Sequence, residues 1–319
     1  MEQLTALPLP LDEWLRIVEA EYLSGFLPAG GGALKLLIAE ATRFDQVTAR
    51  LSDLAARHRL RFAAIDAAFT RLHMLQDIVF ALARALPWPQ MVQHYLEDLF
   101  ARHAYRWPQP GTPMSLSALA EAFGVARDVL AHRVDVWLTD DIWKDRALAR
   151  DVRAALLRLS LAALDPGDPA QAEPVLAWLR GDKVVANRLG HIEISGRITR
   201  TNARAVLVSL CHWVRRSGAT GLLVTLDLRA LHHPAAAGTG LLRYSPAAVM
   251  DTYEVLREII DDAEHLPGLF VVVLADGAII AGDPRRALAQ YAALQMRLWP
   301  DVRPGDRQNP VAPLVWIGA

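Results

Sequence analysis

The sequence predicts an α/β fold, a three-layer and mostly parallel sheet interrupted by a helical insertion. Two observations carry this. Apolar runs of strand length alternate with amphipathic helical stretches near both ends of the chain, and the middle, between Pro/Gly-rich breaks at 106–113 (RWPQPGTP) and Asp165–Pro169, shows helical periodicity alone. Parallel strands need crossover helices, and a sheet with helices on both faces is the architecture that such alternation specifies.

Taken in order, Leu11–Phe26 places Leu11, Trp14, Leu15, Val18 and Tyr22 on one helical face. Gly30, Gly31 and Gly32 precede a strand rather than follow one, and read as the turn through which the chain enters the sheet. Leu34, Leu36, Leu37 and Ile38 form the first buried strand, and Val47–Arg57 the helix after it. Arg61–Asp66 reads as a second strand and Leu72–Leu86 as a helix stopped by Pro87 and Pro89. Ser115–Leu164 is helical. A helix at Ala203–Ser217, a strand at Gly221–Leu226, a helix at Ala247–Glu264 and a strand at Leu269–Ala275 resume the alternation, and NPVAPLVWIGA supplies a last strand. The predicted organisation is one half of a core in 1–86, the insertion in 87–169 and the other half in 170–319.

Composition narrows the function classes. With 319 residues, 53% hydrophobic and 22% charged, the chain can bury a large core, and its apolar balance leaves surface for an interface. A net charge of −1 argues against a surface built throughout for nucleic acid. One cysteine, Cys211, excludes an intrachain disulfide and fits a reducing compartment. No apolar run approaches a membrane span and Met1–Pro10 carries no basic lead before an apolar segment, so a cytoplasmic protein without membrane contact is expected.

The most informative stretch is the loop after the first strand. A phosphate loop needs glycine N–H groups around the phosphates, a lysine on the outer phosphates and a Ser or Thr hydroxyl on Mg²⁺. Here Ala39, Glu40, Ala41, Thr42, Arg43, Phe44, Asp45 and Gln46 contain no glycine and no lysine, and Asp45 sets a negative charge at a helix start that favours anions. Across the sequence, the strand at 221–226 ends on Asp227, followed by Leu228 and Arg229.

The chain resembles the ATP-binding P-loop proteins encoded in bacterial BREX-type anti-phage defence loci. The resemblance is carried by EWLRIVEAEYLSGFLPAGGGALKLLI (13–38, with Glu21-Tyr22-Leu23), AWLRGDKV (177–184), RITRTNARAVLVSL (197–210), GATGLLVTLD (218–227), the stretch from Arg257 through DDAEHLPGLFVVVLADG, and GDPRRALAQYAALQMRL (282–298). It implies a P-loop NTPase-like sheet of the AAA+/ASCE kind, a Gly-rich Lys-Ser/Thr first motif, and an Asp-Glu pair in which the Asp holds Mg²⁺ and the Glu polarises water. This sequence departs from both motifs: Ala39, Phe44, Asp45 and Gln46 stand at degenerate loop positions, Asp227 remains, and Leu228 stands where the second acid is implied. Little chain follows residue 298, so the C-terminal lid is expected to be missing.

Other signals carry competing readings. Ser115–Leu138 resembles a helix-turn-helix with Gly124 at its turn, presenting Arg127, Asp128, His132 and Arg133; Asp128 and Asp135 suit phosphate poorly, and a structural hairpin is favoured over DNA reading. His232-His233 has too few companions for a metal site and reads as a solvated loop. Arg197, Arg200 and Arg204, with Asn202, are candidates for a partner surface, as is Arg297, against the alternatives of a solvated face and of packing with Tyr291, Leu294 and Leu298. The expectation is therefore a non-catalytic pseudo-ATPase with no nucleotide cofactor and no metal, a structural or regulatory subunit in a hetero-oligomer with an active ATPase paralogue or another protein of the same locus. The alternatives are a DNA-binding adaptor using residues 115–138, and an atypical ATP-binding enzyme drawing phosphate contacts from Lys35 or Arg43.

Overall fold

Leu11, Trp14, Leu15 and Val18 recur at helical spacing and are all buried in helix α1 (Leu11–Val18). The computed structural model describes residues 7–108, 114–165, 172–184, 193–236, 238–299 and 308–318. The helical run predicted to Phe26 changes character after Val18, and Glu19–Phe26 is wound as a π-helix, with the Ser24 hydroxyl donating to the Glu19 carbonyl at 2.8 Å. A glycine turn follows. Gly30 sits at φ 98°, and a Cβ on Gly32 would lie 2.7 Å from the Leu266 carbonyl oxygen, so the structural reading of these glycines holds. Strand β1 (Ala33–Ile38) leads through a single 3₁₀ turn, Ala41–Arg43, to α2 (Phe44–Arg57), and β2 (Leu60–Asp66) precedes α3 (Leu75–Ala85).

Two compact units divide the chain, Met1–Ala85 with Ala219–Ala319, and Leu86–Gly218. Residues 170–218, which the sequence assigns to the second half of the core, fall in the second unit. That unit opens with α4 (Trp88–Arg102), in which Pro89 occupies the first turn, where a missing N–H costs nothing. The two prolines thus end one helix and begin the next. Helices α5 (Leu116–Phe123) and α6 (Arg127–Leu138) form the expected hairpin, capped at Ser115 and turned at Gly124 with φ +64°. A π-helical turn, Thr139–Trp143, precedes α7 (Arg150–Leu164), α8 (Ala172–Arg180) and α9 (Ala203–Arg216). Asp141 anchors that turn: Tyr95 donates to it at 2.7 Å, Arg102 at 2.8 and 3.2 Å, and Arg216 donates to its carbonyl at 2.8 Å. Burial pushes the Asp141 carboxyl up, but the hydrogen bonds from Arg102 and Tyr95 outweigh it and hold the group below the usual carboxylate range.

Back in the first unit, β3 (Gly221–Asp227), α10 (Pro246–Asp261) and β4 (Leu269–Ala275) follow. Short turns and α11 (Ala292–Leu298) then lead to β5 (Leu314–Trp316). The five strands among the described residues are all parallel, in the order β2-β3-β4-β1-β5. Every residue of β4 is buried, as a strand covered on both faces requires. One face packs Leu37, Leu223, Phe270, Val272, Leu274 and Val315 against Trp14, Phe44, Val47 and Leu51. Because β1 crosses to β2 in one direction and β3 to β4 in the other, right-handed crossovers put α2 and α10 on opposite faces. Among the described residues no helix is long and apolar enough to cross a membrane.

At the start of β3 the backbone of Gly221 runs against Gly268: a Cβ would overlap the Gly268 carbonyl oxygen, whereas one on Gly277 would meet nothing within 4 Å. Gly221→Ala should therefore lower unfolding free energy by about 1–3 kcal/mol, the usual cost of forced overpacking, and Gly277→Ala should stay within about 0.5 kcal/mol of the parent. Urea midpoints of the two variants, measured side by side, check this.

Candidate functional site

In an open parallel sheet, ligands lodge outside the carboxyl ends of the strands where crossovers part in opposite directions. Here that place lies beyond β1 and β4, which are neighbours: β1 crosses to β2, and β4 crosses the other way to β5. Three acids end the adjoining strands. Asp66 closes β2, Asp227 closes β3 in register with it, and Asp276 follows β4. The β1–α2 loop arches over this edge, with Ala39 buried and donating to the Ala275 carbonyl at 3.0 Å.

Asp227 is engaged by its near neighbour Arg229. The backbone N–H of Arg229 donates to its Oδ1 at 2.9 Å, Arg229 Nε donates to its Oδ2 at 2.8 Å, and Nη2 lies 2.5 Å from the same oxygen. The same guanidinium reaches the Ala41 carbonyl at 3.3 Å and Asp45 at 3.6 Å, and lies 5.1 Å over the Phe44 ring. Burial pushes the Asp227 carboxyl up; the Arg229 hydrogen bonds offset part of that, and neighbouring Asp66 adds to it. The guanidinium is held above its ordinary range chiefly by its hydrogen bonds to Asp227. Leu228 is fully buried and donates its N–H to the Leu274 carbonyl at 2.9 Å.

The remaining loop positions are also engaged or apolar. Phe44 is buried at the start of α2, whereas Asp45 and Gln46 are exposed on its first turn. Arg43 donates to the Gly318 carbonyl, tying the loop to the end of β5. Lys35 lies inside β1, 4% exposed, with its ammonium donating to the carbonyls of Val311 and Ala312 (3.2 Å to the latter) and 4.6 Å over the Tyr22 ring. Both cations that an atypical nucleotide site would have drawn on are thus bound to backbone carbonyls. The donors present do not fit a metal-bound nucleotide: the loop has no lysine or glycine, and a Mg²⁺ at Asp227 would have to displace Arg229.

Two histidines follow. His233 meets Asp276 Oδ2 at 2.6 Å and is exposed, as a solvated loop predicts, but His232 turns inward to the Tyr253 hydroxyl at 3.2 Å, and burial pushes it down to about 4. Among the described residues no group of three or more His, Cys, Asp or Glu side chains is placed to hold a metal. A groove of about 550 Å³ between α1 and α2 is lined by Asp12, Arg16, Glu19, Arg50, Asp53 and Arg57; Arg50 pairs with Asp12 at 2.7 Å and Arg57 with Glu19 at 3.3 Å across it.

The candidate interface arginines lie in different units. Arg197, Arg200 and Arg204 are exposed in the second, where Asn202 is spent on its own turn, accepting from Thr199 N at 2.7 Å and donating to the Arg197 carbonyl at 3.1 Å. Arg297, in the first, forks onto Asp261 (Nη2–Oδ2 2.8 Å) and donates to the Ala293 carbonyl at 2.7 Å. On α6 the side chain of Asp128 is 98% exposed and Val129 and Val136 face solvent, while Arg133 donates to the Tyr105 hydroxyl; an outward acid and two valines suit a phosphate backbone poorly. Arg229 is the residue that sequence reasoning passed over. Its one signal is an arginine two places beyond a strand-ending aspartate, close enough for its own N–H and side chain to return to that carboxylate.

An α/β protein with an all-parallel sheet and an acid-lined carboxyl edge is thereby defined. The family model of the BREX system ATP-binding protein BrxC/D matches residues 147–317, more than half of the chain, and the chain belongs to that family. The match takes in β3, β4 and β5 with Asp227 and stops short of β1 and its loop. No curated protein matches the chain.

Lys35 gives a pH test. Burial pushes its ammonium down to about 8, while an unfolded lysine titrates near ~10.4. The unfolded chain therefore binds more protons between these values, and stability should rise with pH across that window, by up to about 3 kcal/mol less whatever the two carbonyl bonds return. Lys35→Met should flatten this rise, which chemical denaturation at intervals from pH 7 to pH 10.5 measures.

Proposed function

We propose that the chain is a non-catalytic pseudo-ATPase of an anti-phage defence system, a structural or regulatory subunit rather than a source of turnover. One observation carries the reading: the Asp227 carboxylate, the acid to which the family resemblance assigns Mg²⁺, is bonded twice by the side chain of Arg229 and once by its backbone N–H. The strand-loop-helix of β1 and α2, with Asp227 two strands away at the same edge, supports a P-loop NTPase-like core. The loop lacks the glycines and lysine that hold phosphate, and Leu228 brings no carboxylate to orient water, so binding and water activation are lost together.

A subunit that keeps such a core without turnover has assembly as its remaining task. The partner is an active ATPase paralogue or another protein of the same defence locus, and the interface candidates are Arg197, Arg200 and Arg204, with Arg297 set back by its pairing with Asp261. The buried Cys211, its thiol pushed up to about 12 by burial, is inert and consistent with a cytoplasmic protein.

Isothermal titration of the full chain with ATP and Mg²⁺ should show no saturable heat up to millimolar nucleotide, and no phosphate release should follow. A micromolar site that is lost on Asp227→Asn would sink the pseudo-ATPase reading. For the assembly half, charge reversal at Arg197 and Arg200 should weaken capture of the partner encoded beside it by about tenfold without shifting the melting temperature, because exposed charges contribute little stability alone.

A further inference from the structure

One side chain joins the two segments that a metal-bound nucleotide would join. In a nucleotide-loaded site the phosphates sit on the first loop and their metal on the strand-end acid, and the pair of them holds the two together. Here Arg229 Nε and Nη2 take Asp227 at 2.8 and 2.5 Å, while Nη1 takes the Ala41 carbonyl at 3.3 Å, across a separation of 188 residues in sequence. The guanidinium lies 5.1 Å over the ring of Phe44, the first residue of α2, and Asp45 stands 3.6 Å away.

We infer that Arg229 is a resident cation that stands in for metal and ligand, bridging the first loop to β3 so that this edge of the sheet is assembled without nucleotide. The inference rests on the pseudo-ATPase reading and adds to it what holds the loop. Asp45, Asp66 and Asp227 are the acids that act electrostatically on Arg229, and the Asp66–Asp227 pair faces across adjacent strand ends. Without a cation among them their mutual repulsion would splay the edge. A guanidinium suits this task better than an ammonium. Its planar fork bonds a carboxylate and a carbonyl at once while its charge lies over an aromatic ring, and the Arg229 N–H on Asp227 Oδ1 fixes the direction in which the side chain leaves the backbone. Arg43, on the Gly318 carbonyl, secures the same loop to β5. A surface that is set in this way should meet its partner alike in the presence and absence of ATP.

The full chain and its variants Arg229→Lys, Arg229→Gln and Arg229→Gln/Asp227→Asn test this by two readouts, Mn²⁺ uptake followed by electron paramagnetic resonance and hydrogen exchange at residues 40–46. The parent should take up no Mn²⁺ at millimolar concentration, and its exchange at 40–46 should not respond to ATP. Arg229→Gln should raise that exchange about tenfold and expose carboxylates that bind Mn²⁺ weakly, since one or two carboxylates suffice for a largely hydrated ion. The uptake should vanish in the double variant. Arg229→Lys keeps the charge and loses the fork, and should raise exchange about threefold with no Mn²⁺. A folded Arg229→Gln with parental exchange and no Mn²⁺ overturns the inference and leaves the pseudo-ATPase reading standing. Should Arg229→Gln not fold, unchanged exchange in Arg229→Lys overturns it equally. Protection of 40–46 by ATP in the parent would instead overturn the pseudo-ATPase reading itself.

Discussion

Everything at the candidate site depends on a sheet that must be covered on both faces. A parallel sheet is joined by crossover helices, and right-handed crossovers leaving β1 and β3 in opposite directions put α2 and α10 on opposite sides. The burial of all seven residues of β4 is the result of that constraint. Its geometric consequence is that the strand ends carrying Asp66, Asp227 and Asp276 emerge together along one edge, with the β1–α2 loop above them. Whatever those residues do, they do it because the core has already fixed their spacing.

Within that frame the charges at the edge satisfy one another. Asp227 is held by Arg229, Asp276 by His233 and the Ala278 N–H, and Asp66 by the Ala68 N–H. Lys35 and Arg43, the two cations nearest to the first loop in sequence, are bonded to carbonyls around β5. A site organised for a ligand keeps donors or acceptors poised for it, at a cost in stability. At this edge the strand-end acids are paired with groups of the chain itself.

Much of the fold was legible because β1, β3 and β4 are near-continuous apolar runs, and a buried parallel strand is written in that way. Residues 269–275 are strand to the residue, and helix 203–216 differs from the expectation by one. Other features turn on distant contacts and left little local trace. Pro87 and Pro89 read as a stop, although Pro89 also opens α4. Nothing local distinguishes the π-wound Glu19–Phe26 from the α-helix before it. The loop's lack of glycine and lysine could be read directly, but the role of Arg229 could not, since Ala41, Phe44 and Asp45 lie nearly two hundred residues earlier. His232 shows the same limit: its burial against Tyr253 comes from a helix twenty-one residues on.

The strand order also bears on how the chain is made. Among the described residues β1 does not pair with β2; its neighbours are β4 and β5, and β2 pairs with β3 alone. A ribosome therefore releases both early strands well before any partner for them exists, and the whole of Leu86–Gly218 is synthesised in between. The second unit has its own internal packing and can condense during that interval, whereas β1 and β2 wait as unpaired apolar segments. Such long-range pairing folds slowly and leaves edges exposed to wrong partners. Yield of this protein should thus be governed less by its final stability than by what shields residues 33–66 until Gly221 emerges.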